Sequence, residues 1–172
     1  NNGDEIPTGY SNSEWGDLDE TETGAYAVYD DDPSNSDILG NLYNWYAVDN
    51  SSGLCPEGWQ VPTSAEFTVL YDYLDDIDSK VGGQLKETGT DHWQSESSGT
   101  SNSSGFTGLP AGYRANNSGT YASLGNSTYF WTSDSLNLSK ANFRYLSYNS
   151  STLFTPLNDR KQYGLSVRCL ED

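Results

Sequence analysis

Two cysteines, Cys55 and Cys169, narrow what this 172-residue chain can fold into more than any other feature. Three arrangements are open to such a pair: two buried thiols, a fragment of a redox or metal site, or one disulfide. A metal site needs further ligands at short spacing, and the only histidine, His92, stands alone. A disulfide would clasp the middle of the chain to its C-terminal segment. For a loop of somewhat over a hundred residues, chain entropy puts the gain at roughly 4–5 kcal/mol, less any strain. The disulfide is the favoured arrangement, and with it an oxidising, extracellular setting.

The charge balance sets the next limit. Acidic residues outnumber basic ones 25 to 8, a formal charge of −17. Such a charge repels itself, so either the surface is heavily solvated or divalent cations neutralise part of it. Nucleic acid is excluded as a partner, because phosphate recognition needs a basic patch. Aromatic residues supply 13% of the chain, with 13 Tyr and 5 Trp, which argues for a packed core rather than disorder. The length suits one domain. No apolar run approaches a membrane span, so no membrane insertion is expected. With no Met and no leader segment, the expectation is a single domain, residues 1–172, taken from a longer chain and monomeric within it.

One helix is plain. Thr63-x-x-Glu66 is a capping box, and Phe67, Leu70, Tyr71 and Leu74 repeat at i, i+3, i+4 and i+7. The helix is expected over about 63–75, with Gly82-Gly83 as breakers beyond it. Residues 25–29 read as a short strand, and 30–37 as a turn-rich loop dense in oxygen ligands. Residues 39–48 read as a buried strand, with a helix left open because periodicity cannot decide so short a run. After residue 84 come short aromatic pieces between Gly, Ser and Asn turns. Alternating strands at 142–148 and 164–170 close the chain. The expected class is α+β: a small twisted antiparallel sheet, one or two helices and long loops.

Several landmarks stand in order: Gly40-Asn41-Leu42-Tyr43-Asn44-Trp45, Cys55-Pro56-Glu57-Gly58-Trp59, Val61-Pro62-Thr63-Ser64-Ala65-Glu66-Phe67, Gly105-Phe106-Thr107-Gly108-Leu109-Pro110-Ala111-Gly112-Tyr113-Arg114, Phe130-Trp131-Thr132-Ser133 and Gly164-Leu165-Ser166-Val167-Arg168-Cys169. This set resembles the Fibrobacter succinogenes major paralogous domain family of bacterial surface proteins, over nearly the whole chain. The Val-Pro-Thr-Ser-Ala-Glu-Phe and Gly-Leu-Ser-Val-Arg phrases are also similar to the formylglycine-generating-enzyme branch of the C-type-lectin-like fold. That resemblance implies a C-type-lectin-like architecture and not the enzyme's activity, since no thiol is spare once Cys55 and Cys169 pair. It implies that Trp59, the capping box and Gly112-Tyr113-Arg114 build the core, leaving function to the long loops. The acidity resembles that of modules in giant calcium-stabilised adhesins.

Ca2+ is the cofactor these residues suggest, since it takes six to eight oxygens from carboxylates, amides and carbonyls. Acid clusters lie at Asp17/Asp19/Glu20/Glu22, at Asp30, Asp31, Asp32, Asn35 and Asp37, at Asp72/Asp75/Asp76/Asp78, and at Asn158-Asp159. None has EF-hand spacing. Asp31, Asp32 and Asp37 are candidate ligands of a structural ion. Asp134, Asn137, Asn158 and Asp159 are candidates for an ion shared with a ligand. Trp131, Arg160 and Tyr163 would complete that cradle, Arg160 or Lys161 serving an anionic group. No nucleophile–base pair or phosphate loop is recognisable, and no catalysis is expected. The expected function is calcium-dependent adhesion through a short peptide or chain terminus on a host or neighbouring cell. A glycan ligand and a purely structural scaffold are the alternatives.

Overall fold

Alternation along three neighbouring strands places two apolar cores on opposite faces of one sheet. The computed structural model describes Gly3, residues 5–96 and residues 99–172. In chain order its elements are α1 (Asn12–Thr21), β1 (Tyr26–Ala27), α2 (Pro33–Leu39), β2 (Leu42–Tyr43), α3 (Trp45–Val48), β3 (Trp59–Gln60), α4 (Ser64–Asp75), α5 (Val81–Leu85), β4 (Tyr113–Arg114), β5 (Tyr121–Ala122), β6 (Ser127–Ser135), β7 (Lys140–Ser147), β8 (Phe154–Arg160) and β9 (Leu170–Glu171). The main sheet is antiparallel in the order β6-β7-β8, and β1-β2, β3-β9 and β4-β5 form two-stranded ribbons. The class is therefore mixed α+β with small antiparallel sheets.

Side chains alternate across a strand, so the two cores can be read from the register. Trp131, Ala141, Phe143 and Leu157 point to one face, where they pack with Trp45, Cys55 and Leu165. Phe130 and Leu146 point to the other, where α4 supplies Phe67 and Leu74 and α5 supplies Val81 and Leu85. The expected helix is present: Thr63 caps it, and the reciprocal Glu66 bond completes the box. Cys55 and Cys169 are bonded, across a Cα separation of 5.8 Å.

With few aliphatics available, indole rings fill the core, and a buried indole N–H needs an acceptor. Each has one. Trp15 donates to the Gln162 carbonyl at 2.9 Å, Trp45 to Thr132 at 2.9 Å, Trp93 to Gly108 at 3.1 Å and Trp131 to Tyr43 at 2.8 Å. Trp59 departs from expectation: it is 45% exposed on β3 and takes no part in the two main cores.

Other expectations need correction. Residues 12–21, where no element is expected, form a helix, opened by a second capping box between Ser11 and Glu14. The loop expected at 30–37 is a left-handed turn at Asp30 and Asp31 followed by α2, with Asp32 as the cap. The strand expected over 39–48 stops at Tyr43, and Asn44 then caps the short α3. Gly82-Gly83 lies inside α5 rather than breaking it. A Cβ on Gly82 would meet the Thr152 backbone at 2.4 Å, and one on Gly83 the Gly99 carbonyl at 2.2 Å. Close approach of chains, not turn formation, is what those glycines allow. The closing strand expected at 164–170 is divided among single bridges to Arg114, Tyr43 and Phe130 and the two residues of β9.

Candidate functional site

Asn158 and Asp159 do not form a loop; they lie in β8, with Asn158 opposite Asn142 and Asp159 opposite Ala141. Neighbours in a strand face opposite ways. Asp159 therefore shares the face of Phe143 and Leu157, at the end of an aromatic core. There the surface opens into a cleft of about 220 Å³ lined by Tyr113, Tyr129, Phe143, Asp159, Tyr163 and Leu165. Four strands and the C-terminal segment supply these residues. The segment is held by Leu165, which exchanges backbone hydrogen bonds with Tyr43 at 2.8 and 2.9 Å, and by Gly164, which does so with Arg114.

The rings meet at steep angles. Tyr113 stands at 86° to Tyr129 and 67° to Tyr163, and Tyr129 at 60° to Phe143, with centroids 5.4–5.8 Å apart. They wall a cup rather than a flat platform. Burial pushes the Tyr129 hydroxyl up to about 12, and burial followed by the charge of Asp159 raises that of Tyr163. Both phenols stay protonated at neutral pH. Asp159 is thus the one charged group of the lining. One carboxylate oxygen accepts the Arg160 backbone N–H at 2.8 Å. Among the described residues the only ion pair within 4 Å joins His92 and Glu87, so Asp159 has no cationic partner.

The remaining candidates are placed elsewhere. Trp131 is fully buried and belongs to the core rather than to a ligand platform. Asp134 faces α4, accepting the Ser64 backbone N–H. Burial works to raise its pKa, but hydrogen bonds from Ser64 and Thr132 and the charge of Arg144 overcome this and hold it below the usual carboxylate value. Asn137 closes the β6–β7 hairpin, its side-chain oxygen accepting the Ser139 and Lys140 N–H groups at 3.0 Å. Asn158 shares the α4 face, but Asn142 on β7 separates it from Asp134, leaving them two strand spacings, about 10 Å, apart. Lys161 is buried, its ammonium 4.2 Å from the centroid of Trp45, while Arg160 is exposed.

These positions do not suit one shared ion, since Asp134 and Asp159 lie on opposite faces of the sheet. The N-terminal candidates are also dispersed in role. Asp31 accepts the Tyr121 hydroxyl at 2.7 Å, Asp32 caps α2 through Ser34, and Asp37 lies exposed within α2. Among the described residues no three Asp, Glu, His or Cys side chains are grouped to hold a metal ion.

The family model of the Fibrobacter succinogenes major domain matches residues 1–171. The chain belongs to that family. No curated protein and no solved structure matches it. In this Fibrobacter succinogenes major domain the Gly112-Tyr113-Arg114 landmark has a double role. Arg114 is buried with its guanidinium 4.5 Å from the Trp15 ring centroid, while Tyr113 walls the cleft. Tyr113, Tyr129 and Phe143 were not read as site residues from the sequence. The signal available was the alternation of β6 and β7, which puts Tyr129 and Phe143 on the face of Asp159.

A second concavity of this Fibrobacter succinogenes major domain, of about 430 Å³, runs beside the disulfide between the exposed Trp59 and Leu170, the half-buried Phe106 and the edge of the buried Phe67. Its polar rim holds Glu66, Glu171 and Arg168, the last 4.8 Å over the Phe106 ring.

Proposed function

We propose that this domain is an extracellular, non-catalytic ligand-binding module of a bacterial surface protein, with a C-type-lectin-like architecture and a role in adhesion to a peptide. The observation that carries the reading is the aromatic cup closed on one side by Asp159. It is a concave, largely aromatic site with one charged group, the usual composition of a recognition pocket. The disulfide favours an oxidising compartment. A helix and a three-stranded antiparallel sheet, with the long stretch 86–126 between α5 and β6, favour the lectin-like architecture. Among the described residues no helix is long and apolar enough to cross a membrane.

Calcium enters this reading as a counter-ion for the acidic surface rather than as a bridge to the ligand. The test is a peptide library and a glycan array, each screened with calcium and with chelator, against the native domain and Tyr163→Ala. Peptide binding that survives chelation and is lost in the variant is the expected result. Binding lost in chelator would restore a bridging ion. Peptide and glycan screens that both stay blank would leave a structural spacer.

A further inference from the structure

Resting on that reading, we propose that the cup takes a cation: the ammonium group of a lysine side chain or an N-terminal amine on the partner peptide. Aromatic faces attract ammonium ions through the ring quadrupole, and several rings around one small volume make the usual receptor for them. Tyr113, Tyr129, Phe143 and Tyr163 provide four rings in three or more orientations, with Tyr113 and Tyr129 at 86° to each other. Asp159 adds a carboxylate at the wall. No Lys, Arg or His of the described chain pairs with it, so its charge is available to an incoming cation.

Size and field point the same way. A cleft of about 220 Å³ is below the range of roughly 300–1,000 Å³ that encloses drug-sized ligands, so it admits a head group rather than a whole ligand. A net charge of −17 raises the local concentration of cations and repels anions. The Tyr129 and Tyr163 hydroxyls remain neutral donors at physiological pH, since burial raises both. A glycan is disfavoured by the same geometry. Sugar faces need an open ring to lie on, and here the rings stand across one another. An anionic ligand would meet Asp159 with no cation in the lining.

Paired probes test this. Choline and its uncharged isostere 3,3-dimethylbutan-1-ol are titrated into the isotopically labelled domain, with N-acetyl-lysine amide as the peptide-like probe, and shifts of the tyrosine ring signals are followed. The cations are expected to bind about tenfold more tightly than the isostere, and Asp159→Asn to remove most of that difference while leaving the isostere unchanged. Tyr163→Phe keeps the ring and should keep the binding, whereas Tyr163→Ala should weaken it. Affinity should fall as salt rises. Equal binding of choline and its isostere, or no shift with either cation, overturns the cation assignment. If peptides or glycans from the library and array screens still perturb the Tyr163 ring in that case, the binding-module reading stands without it. If nothing perturbs that ring, both fall. Far-UV and near-UV spectra matching the native domain show that each variant is folded.

Discussion

Asp134 in β6 accepts the backbone N–H of Ser64, 70 residues earlier, and so pins the N-terminus of α4 to the sheet. The first N–H groups of a helix have no partner within it, and a carboxylate there also meets the positive end of the dipole. Arg144 completes the joint by donating to the Ser64 carbonyl at 2.9 Å. Asp134→Ala is expected to cost about 1–3 kcal/mol in a denaturant titration, through the lost cap and the exposed donor. Affinity at the Asp159 cup should be unchanged. An Asp134→Ala variant of native stability that fails to bind ligand would show that Asp134 belongs to the binding site instead.

The same carboxylate gives an acid-side prediction. Its folded pKa lies below the unfolded value of about 3.9. The contribution is therefore present above the unfolded value and disappears as pH falls through the folded one. Native domain and Asp134→Ala should converge in stability towards pH 2. Melting curves at stepped pH measure this, and a difference that persists unchanged at low pH would contradict it.

Breaking the Cys55–Cys169 bond frees the C-terminal segment that carries Tyr163 and Leu165. Cys55→Ser with Cys169→Ser should lower stability by at most roughly 4–5 kcal/mol. The cup should weaken with it, since Leu165 and Gly164 hold one wall through backbone bonds to Tyr43 and Arg114. Calorimetry and choline titration of the reduced domain read the two effects. A reduced domain that melts and binds like the native one would mean the bond adds nothing to this wall.

Arg114 is a keystone of the N-terminal core. It lies 4.5 Å from the Trp15 centroid and 5.0 Å from Tyr121, and donates to the Gly119 and Tyr10 carbonyls at 2.8 and 2.7 Å. A lysine keeps the charge but cannot stack a plane between two rings while donating along two directions. Arg114→Lys is expected to destabilise by about 2–3 kcal/mol. Tryptophan fluorescence in a urea titration follows it, and a stability within error of the native domain would show that charge alone is what matters there.

Local chemistry was legible in the sequence where it acts over a few residues. Thr63-x-x-Glu66 and the i, i+3, i+4, i+7 run located α4, and cysteine arithmetic found the disulfide. Ser11-x-x-Glu14 carries the same capping signature, and Trp15 with Leu18 the same spacing, but the acidic surroundings hid α1. What stayed hidden depends on contacts between distant residues. Gly82 and Gly83 read as breakers because their constraint is the backbone of Thr152 and Gly99. Asn158-Asp159 read as part of a long loop because β8 is an edge strand whose pairing with β7 leaves no local mark. The cup follows from that pairing, and only Asp159 and Tyr163 of its lining were anticipated.

The alkaline side of the stability profile turns on Lys86. Its ammonium is buried, donating to the Ser147 and Ser150 carbonyls at 2.8 and 2.6 Å and lying 5.3 Å from the Trp93 centroid. Burial pushes its pKa down to about 8, against an opposing pull from Glu96. The unfolded lysine titrates near 10.4, so between about pH 8 and pH 10 the unfolded chain binds more protons. Stability should therefore rise with pH across that window. Above about pH 10 the tyrosines reverse the slope. Tyr129 is raised to about 12 by burial, and Tyr46 and Tyr121 are raised by burial and then by their hydrogen bonds to Asp19 and Asp31. A group whose folded pKa is raised loses its contribution as pH climbs past the unfolded value, so stability should fall there. Chemical denaturation at stepped pH from 7 to 11 is expected to show a maximum near pH 10. Lys86→Met should be less stable at neutral pH, because the Ser147 and Ser150 carbonyls lose a charged donor. It should also lose the rise between pH 8 and pH 10 while keeping the fall above it. A rise of equal size in Lys86→Met would assign that window to some other group.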